Sequence, residues 1–133
     1  MSITGFQITR TQVVKALKNA GIKENNISFD KESIPTAFPS ALVILEGESG
    51  ILKTNKHFLE EVYNISIFLI INAEKVTDPD VEIMILKEAF RVQYQLLLKK
   101  DFPKVEYYNA RADSGRKVKI AKIYMVRCYI LSL

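Results

Sequence analysis

The spacing of apolar and polar residues divides this chain into segments with a period near two and segments with a period near 3.6. The most apolar stretch lies within EEVYNISIFLIINAEK, residues 60–75. Its continuous run, Ile65 to Ile71, is far shorter than the roughly 20 residues a membrane-spanning helix needs. Its isoleucines and phenylalanine suit a strand. On a strand Tyr63, Ile65, Ile67, Leu69 and Ile71 share one face, all apolar or aromatic. Val62, Asn64, Ser66, Phe68 and Ile70 share the other, which starts mixed and turns apolar at Phe68. One face is therefore predicted core, and the apolar half of the second face needs a cover.

Two helices are predicted. In ITRTQVVKALKNAG, Thr9 is placed to cap, with Gln12 as its capping-box partner and Ile8 and Val13 at the staple positions. Val13, Leu17 and Ala20 form the expected buried stripe, flanked by Val14 and Ala16. Gly21 ends the helix in the left-handed conformation. The second helix opens at Asp78-Pro79-Asp80, where Asp78 caps, Pro79 takes the first turn and both carboxylates favour the positive helix end. It runs to about Lys99 or Lys100. Its polar arc holds Lys87, Glu88, Arg91 and Gln95. Its apolar arc, from Val81, Ile85 and Leu86 through Phe90, Val92, Leu96 and Leu97, covers about twice the width a surface helix needs. Cover on more than one side is expected, with Leu86, Phe90 and Leu97 against a sheet.

The remaining segments read as strands and turns. NISFD, residues 26–30, is a short strand. KESIPTAFPS is extended and irregular, because Pro35 and Pro39 remove donors and restrain their predecessors. ALVILEGE, residues 41–48, is a strand expected to pair antiparallel with the 60–75 segment through a polar loop, SGILKTNKH. VEYYNA and KVKIAKIYMVRCYIL form a closing hairpin around RADSGR. In its last strand the alternation changes phase at Ala121-Lys122-Ile123, which predicts a bulge. The order helix, strands, helix, strands defines an α+β domain spanning residues 1–133. An antiparallel or mixed β-sheet carries the short N-terminal helix and one long helix.

A chain of 133 residues can bury a sizeable core without staples. Its single cysteine, Cys128, excludes an internal disulfide and a multi-cysteine metal site, and reads as a buried strand residue. MSITGFQITR shows no charged-then-apolar export pattern, so the cytoplasm is the expected site of synthesis and assembly. Charge is uneven. The formal net charge is +4, yet the segment from Lys99 onward carries nine Lys or Arg against three Asp or Glu, so the rest of the chain is slightly acidic. A basic terminal hairpin can meet nucleic acid or an acidic protein surface.

Catalytic signals are sparse. His57, the single histidine, sits in a polar loop without a paired nucleophile or carboxylate. Capping accounts for Asp78 and Asp80. Glu46 and Glu48 share one side of a strand end, but two carboxylates alone make a poor cation site. No phosphate loop, zinc-protease or nucleophile-elbow motif is present. The sequence therefore predicts no enzyme, no cofactor and no metal. Arg111, Arg116, Lys117, Lys119 and Lys122 cluster on the hairpin beside Tyr107 and Tyr108, which allows phosphate binding and base stacking. Adjacent tyrosines on a strand point to opposite faces, so at least one is expected in the core.

The arrangement resembles the tail-terminator and tail-completion proteins of long-tailed bacteriophages, which include head–tail joining proteins. The resemblance rests on a capped N-terminal helix leading into IPTAFPSALVILEGE, a long strand ending IINAE, a long helix beginning DPDVEIMILKEAF, and a closing hairpin. It covers nearly the whole chain and rests on element order, without a diagnostic motif. It implies a structural virion protein of the tail or neck. Copies, typically six, form a ring that caps the tail tube and joins it to the head connector, with DNA passing through the lumen. It implies no catalytic residues and no membrane.

On that reading Phe68 and Ile70 meet a helix or the neighbouring copy. The loops at 46–57 and 109–117 become contacts, with Glu46 and Glu48 on one side and Arg111, Arg116 and Lys117 on the other. A DNA channel in such assemblies is often lined by acidic groups, so the basic hairpin is expected to face a neighbour's acidic surface. A small nucleic-acid-binding module using the hairpin is the alternative function. An enzyme accessory subunit sharing only the α+β architecture is a third.

Overall fold

A computed structural model describes the backbone of residues 2–30, 37–55 and 58–132, and the side chains of residues 6–30, 37–47 and 63–125. Helix α1 (Ser2–Asn19) leads through a 3-10 turn (Glu24–Asn26) into strand β1 (Ile27–Ser28). Strands β2 (Ser40–Asn55) and β3 (Phe58–Asn72) precede helix α2 (Pro79–Leu98). Strands β4 (Lys104–Arg111) and β5 (Lys117–Ser132) close the chain. The five strands form one sheet in the order β1-β2-β3-β5-β4. β1 is parallel to β2 and all other neighbours are antiparallel, so the fold is α+β with a mixed sheet.

Strand β3 is the centre of the sheet, paired with β2 on one side and β5 on the other. Its odd-numbered face is the main core: Tyr63, Ile65, Ile67, Leu69 and Ile71 are all buried. Ala41 and Val43 of β2 and Ala121, Ile123 and Met125 of β5 extend that face. Both helices cover it. α1 contributes Val13, Ala16 and Leu17, and α2 contributes Ile83, Phe90, Tyr94 and Leu98. Phe90 lies 5.5 Å from Phe102 in a stacked pair and 5.8 Å from Tyr94.

Sequence and structure agree at several ends. Asp78 accepts from Val81 N–H at 3.3 Å and Pro79 opens α2. Lys99 closes that helix in the left-handed region. Gly21 has φ +103°, with Gly21 N–H bonding Lys18 C=O and Ile22 N–H bonding Leu17 C=O. That pair of bonds is a Schellman stop, which favours glycine.

Other expectations are corrected. α1 starts at Ser2, so Thr9 lies fully buried inside the helix and caps nothing, and Ile8 is half-exposed and staples nothing. Gly5 within a helix costs only about 1 kcal/mol. Phe6, packed on the core 5.8 Å from the Tyr63 ring, offsets that cost. β2 continues to Asn55, so the polar SGILKTNKH segment is strand through residue 55, and His57 lies outside the described residues.

The register of β5 against β3 and β4 is unbroken; the bulges lie in β2, at Leu45/Gly47, Glu48/Gly50 and Lys53/Asn55. The phase change at Ala121 has another cause. Near residues 118–120 the opposite sheet face is covered, by a second small core of Leu42, Ile44, Ile70, Ala112 and Val118 with Phe38, Phe68, Ala110 and Ile120 packed on it. From Ala121 onward the helix face takes over.

Phe90→Ala is expected to lower stability by about 3–5 kcal/mol, because the ring is fully buried between α2, the sheet and Phe102. A thermal melt unchanged by this substitution would remove α2 from the core.

Candidate interaction surfaces

The sequence-predicted contact residues fall into three places. Phe68 and Ile70 point to the sheet face opposite the helices. Ile70 is fully buried by the small second core, so its cover lies within the protomer. Phe68 is half-buried, with the Lys122 ammonium 5.5 Å from its ring centroid. Glu46 is exposed at the β2 bulge and lines a cavity of about 310 Å³ with Ser66, Lys122 and Tyr124. The backbone of Glu48 pairs opposite Tyr63, and its side chain lies outside the described residues. The backbone register of β2 shifts on each side of Gly47–Glu48. No group of three metal-ligating side chains gathers among the described residues. No helix among them is long and apolar enough to cross a membrane.

The basic hairpin divides into anchored and free cations. Lys119 faces the helices, because Lys119 is opposite Ile71 on β3. Its Nζ meets Asp80 at 2.7 Å and donates to Asn109 Oδ1 at 3.2 Å, with the side chain only 11% exposed. Lys119 therefore ties the first turn of α2 to the sheet. Lys122 sits over Tyr124, 4.6 Å from its centroid. Arg111, Arg116 and Lys117 remain exposed around the turn. The turn itself is tight: Ala112 N–H bonds Arg116 C=O, Gly115 N–H bonds Ala112 C=O, and Gly115 has φ +83°. Arg111 Nη1 donates to Gly115 C=O at 3.0 Å, and Lys117 N–H donates to Glu74 Oε1 at 2.9 Å. The Arg111 guanidinium is thus partly engaged by the turn, while the side chains of Arg116 and Lys117 are exposed around it.

The tyrosine expectation is corrected. Tyr107 and Tyr108 are each 39% exposed, because β4 is the edge strand and neither of its faces is deeply covered. Tyr108 donates to the Glu106 carboxylate, which holds the phenol above its usual range. Lys104 and then Tyr108 hold Glu106 below the usual carboxylate range.

The α2 arc, expected from its width to need cover on more than one side, is where the structure leaves an apolar surface, although no α2 residue was among the predicted contacts. The covered side of that helix is Ile83, Lys87, Phe90, Tyr94 and Leu98. Lys87 thus belongs to the buried side and not to the polar arc, its ammonium engaged by Glu88. On the opposite side Val81, Ile85, Val92 and Leu96 are 50%, 59%, 52% and 59% exposed. The wide apolar arc is covered within the protomer on one side only. Beside this ridge lies a cavity of about 360 Å³, lined by Ala20, Phe38, Ile71, Val76, Ile85 and Ala89, with Lys75 and Glu82 on it as well. An exposed apolar ridge next to an apolar cavity is the character of a protein-binding surface.

A scan against protein-family models and a search of curated proteins both return no match for this chain.

Asp80→Asn removes the ionic partner of a nearly buried lysine. A loss of about 1 kcal/mol is expected, at the low end for charge-assisted bonds because Asp80 itself is well exposed. Chemical denaturation measures it; an unchanged midpoint would show that the pair does not hold α2 in place.

Proposed function

We propose that this chain is a structural subunit of a long-tailed bacteriophage tail or neck, acting through assembly and not through a reaction. Copies form a ring, hexameric by resemblance, that caps the tail tube and joins it to the head connector, with DNA passing through the lumen. The observation that carries the proposal is the apolar ridge of α2, four large side chains half-exposed on one helix face. Water contact along such a ridge is unfavourable by roughly 25 cal/mol per Å² of apolar surface, which association recovers. Element order and the mixed sheet carrying two helices on one face agree with the family it resembles. Self-association is the simplest way to cover the ridge.

The hairpin tip supports the second reading, a nucleic-acid-binding module. Arg111, Arg116 and Lys117 are exposed together at the hairpin tip, with one Arg111 nitrogen held by Gly115 C=O, and cations so placed can reach phosphates. The two readings differ in solution. Light scattering on the native protein is expected to show a discrete oligomer, alone or on adding tail-tube protein. The triple substitution of Arg111, Arg116 and Lys117 by Glu is expected to leave the fold intact, since none of the three is buried. It should weaken assembly or docking, more at low salt, where the introduced repulsion is least screened. Unchanged assembly combined with loss of a steeply salt-dependent DNA affinity would instead favour the nucleic-acid module.

A further inference from the structure

A ridge alone does not say what covers it, but the other helix presents a second patch of opposite charge. On the side of α1 away from the core, Arg10, Val14, Lys15, Lys18 and Phe29 line one depression. Phe29 is 49% exposed, and the Arg10 guanidinium lies 4.5 Å from its ring centroid, so the ring stands out with a cation against it. The helix itself carries Arg10, Lys15 and Lys18 and no carboxylate. Lys18 reaches Glu24 at 3.5 Å as an exposed pair, an interaction of little weight. The ridge side differs in sign. Of the carboxylates at the entry to α2 and along its first half, Asp80 turns to Lys119, Glu74 accepts from Lys117 N–H and Glu88 pairs with Lys87 and Arg91, so the negative charge left beside the ridge is that of Glu82. Glu82 is exposed and lines the cavity next to Ile85.

We infer that the occupant of the α2 ridge and its cavity is the α1 patch of a second copy of this chain, with Phe29 entering the cavity beside Ile85 and Ala89 and the Arg10, Lys15 and Lys18 cations gathered toward Glu82 at its rim. The cavity volume accommodates one aromatic side chain. The two patches consist of different residues on different helices, so the contact is head-to-tail. A head-to-tail contact repeats from copy to copy and closes into a ring when its rotation allows. This inference rests on the proposed ring assembly and supplies its interface. It also removes Ile70 from that interface, since Ile70 has no exposed surface.

A charge exchange tests it. One variant carries Lys15→Glu and Lys18→Glu; the other carries Glu82→Lys and Ile85→Lys. Circular dichroism melts check folding, and all four positions are solvent-exposed in the protomer. Each variant alone is expected to self-associate at least about 10-fold more weakly than the native protein, because like charges then face each other. Mixed in equal amounts, the two variants are expected to recover assembly, since each altered patch then meets its complement. Phe29→Asp, made separately, is expected to weaken assembly to a similar degree. Sedimentation velocity reads every case. Native protein that assembles while the mixture fails to recover overturns the interface but leaves the ring standing. If only the α2 variant loses assembly, the ridge meets something other than α1, such as its own two-fold copy, and the inference also fails. Native protein that stays monomeric, alone and with tail-tube protein, overturns both the ring and its interface.

Discussion

Burial of one face of strand β3 is the constraint from which the rest of this protein follows. β3 is hydrogen-bonded along both edges, so its backbone is satisfied inside the sheet. Its side chains at Ile65, Ile67, Leu69 and Ile71 then have to meet apolar cover, and neither neighbouring strand can supply it. Two helices lie side by side on that face, with Phe90, Tyr94 and Phe102 as the aromatic contact under α2. The same requirement sets the orientation of α2. Placing Phe90 downward places Val81, Ile85, Val92 and Leu96 upward, since a helix turns about 100° per residue. The exposed ridge is thus a geometric consequence of how the core is filled.

Charges divide between holding the fold and facing outward. Lys119 and Lys87 are drawn inside by their positions on covered faces, and each is compensated by a carboxylate at the surface, Asp80 and Glu88. Arg91 donates to Asp101 at 2.8 Å and joins the second half of α2 to the segment leading into β4. That bond holds the Asp101 carboxyl below its usual range, with Phe102 N–H as a second donor. The Asp80 and Asp101 pairs thus fasten α2 at its first turn and in its second half. The cations of the hairpin tip and of α1 are held only by exposed contacts, such as Arg111 to Gly115 and Lys18 to Glu24. The basic balance of the chain therefore says less about nucleic acid than its sum implies. Part of it is structural, and part faces outward on two separate surfaces.

Much of the fold was legible in the sequence. Period two fixed the buried face of β3, because alternate side chains of a strand must leave on opposite sides. Asp78-Pro79 and Gly21 marked helix ends through local backbone chemistry that no distant residue needs to complete. The hairpin around Gly115 was visible for the same reason.

The tertiary structure alone decided where each pattern ended and which apolar residues stayed outside. Thr9 looked like a cap until Phe6 found Tyr63 and drew the helix back to Ser2. The phase change at Ala121 looked like a bulge, but it records cover passing from one sheet face to the other, and that depends on Leu42, Ile44, Ala112 and Val118 meeting across strands. Lys87 and Lys119 carry charges that a sequence assigns to solvent, and long aliphatic stems let them lie on buried faces with only the ammonium reaching a partner. Apolar periodicity showed that α2 is wider in its apolar arc than one sheet requires. It could not tell which half would be covered, because a helical wheel has no direction until a core supplies one.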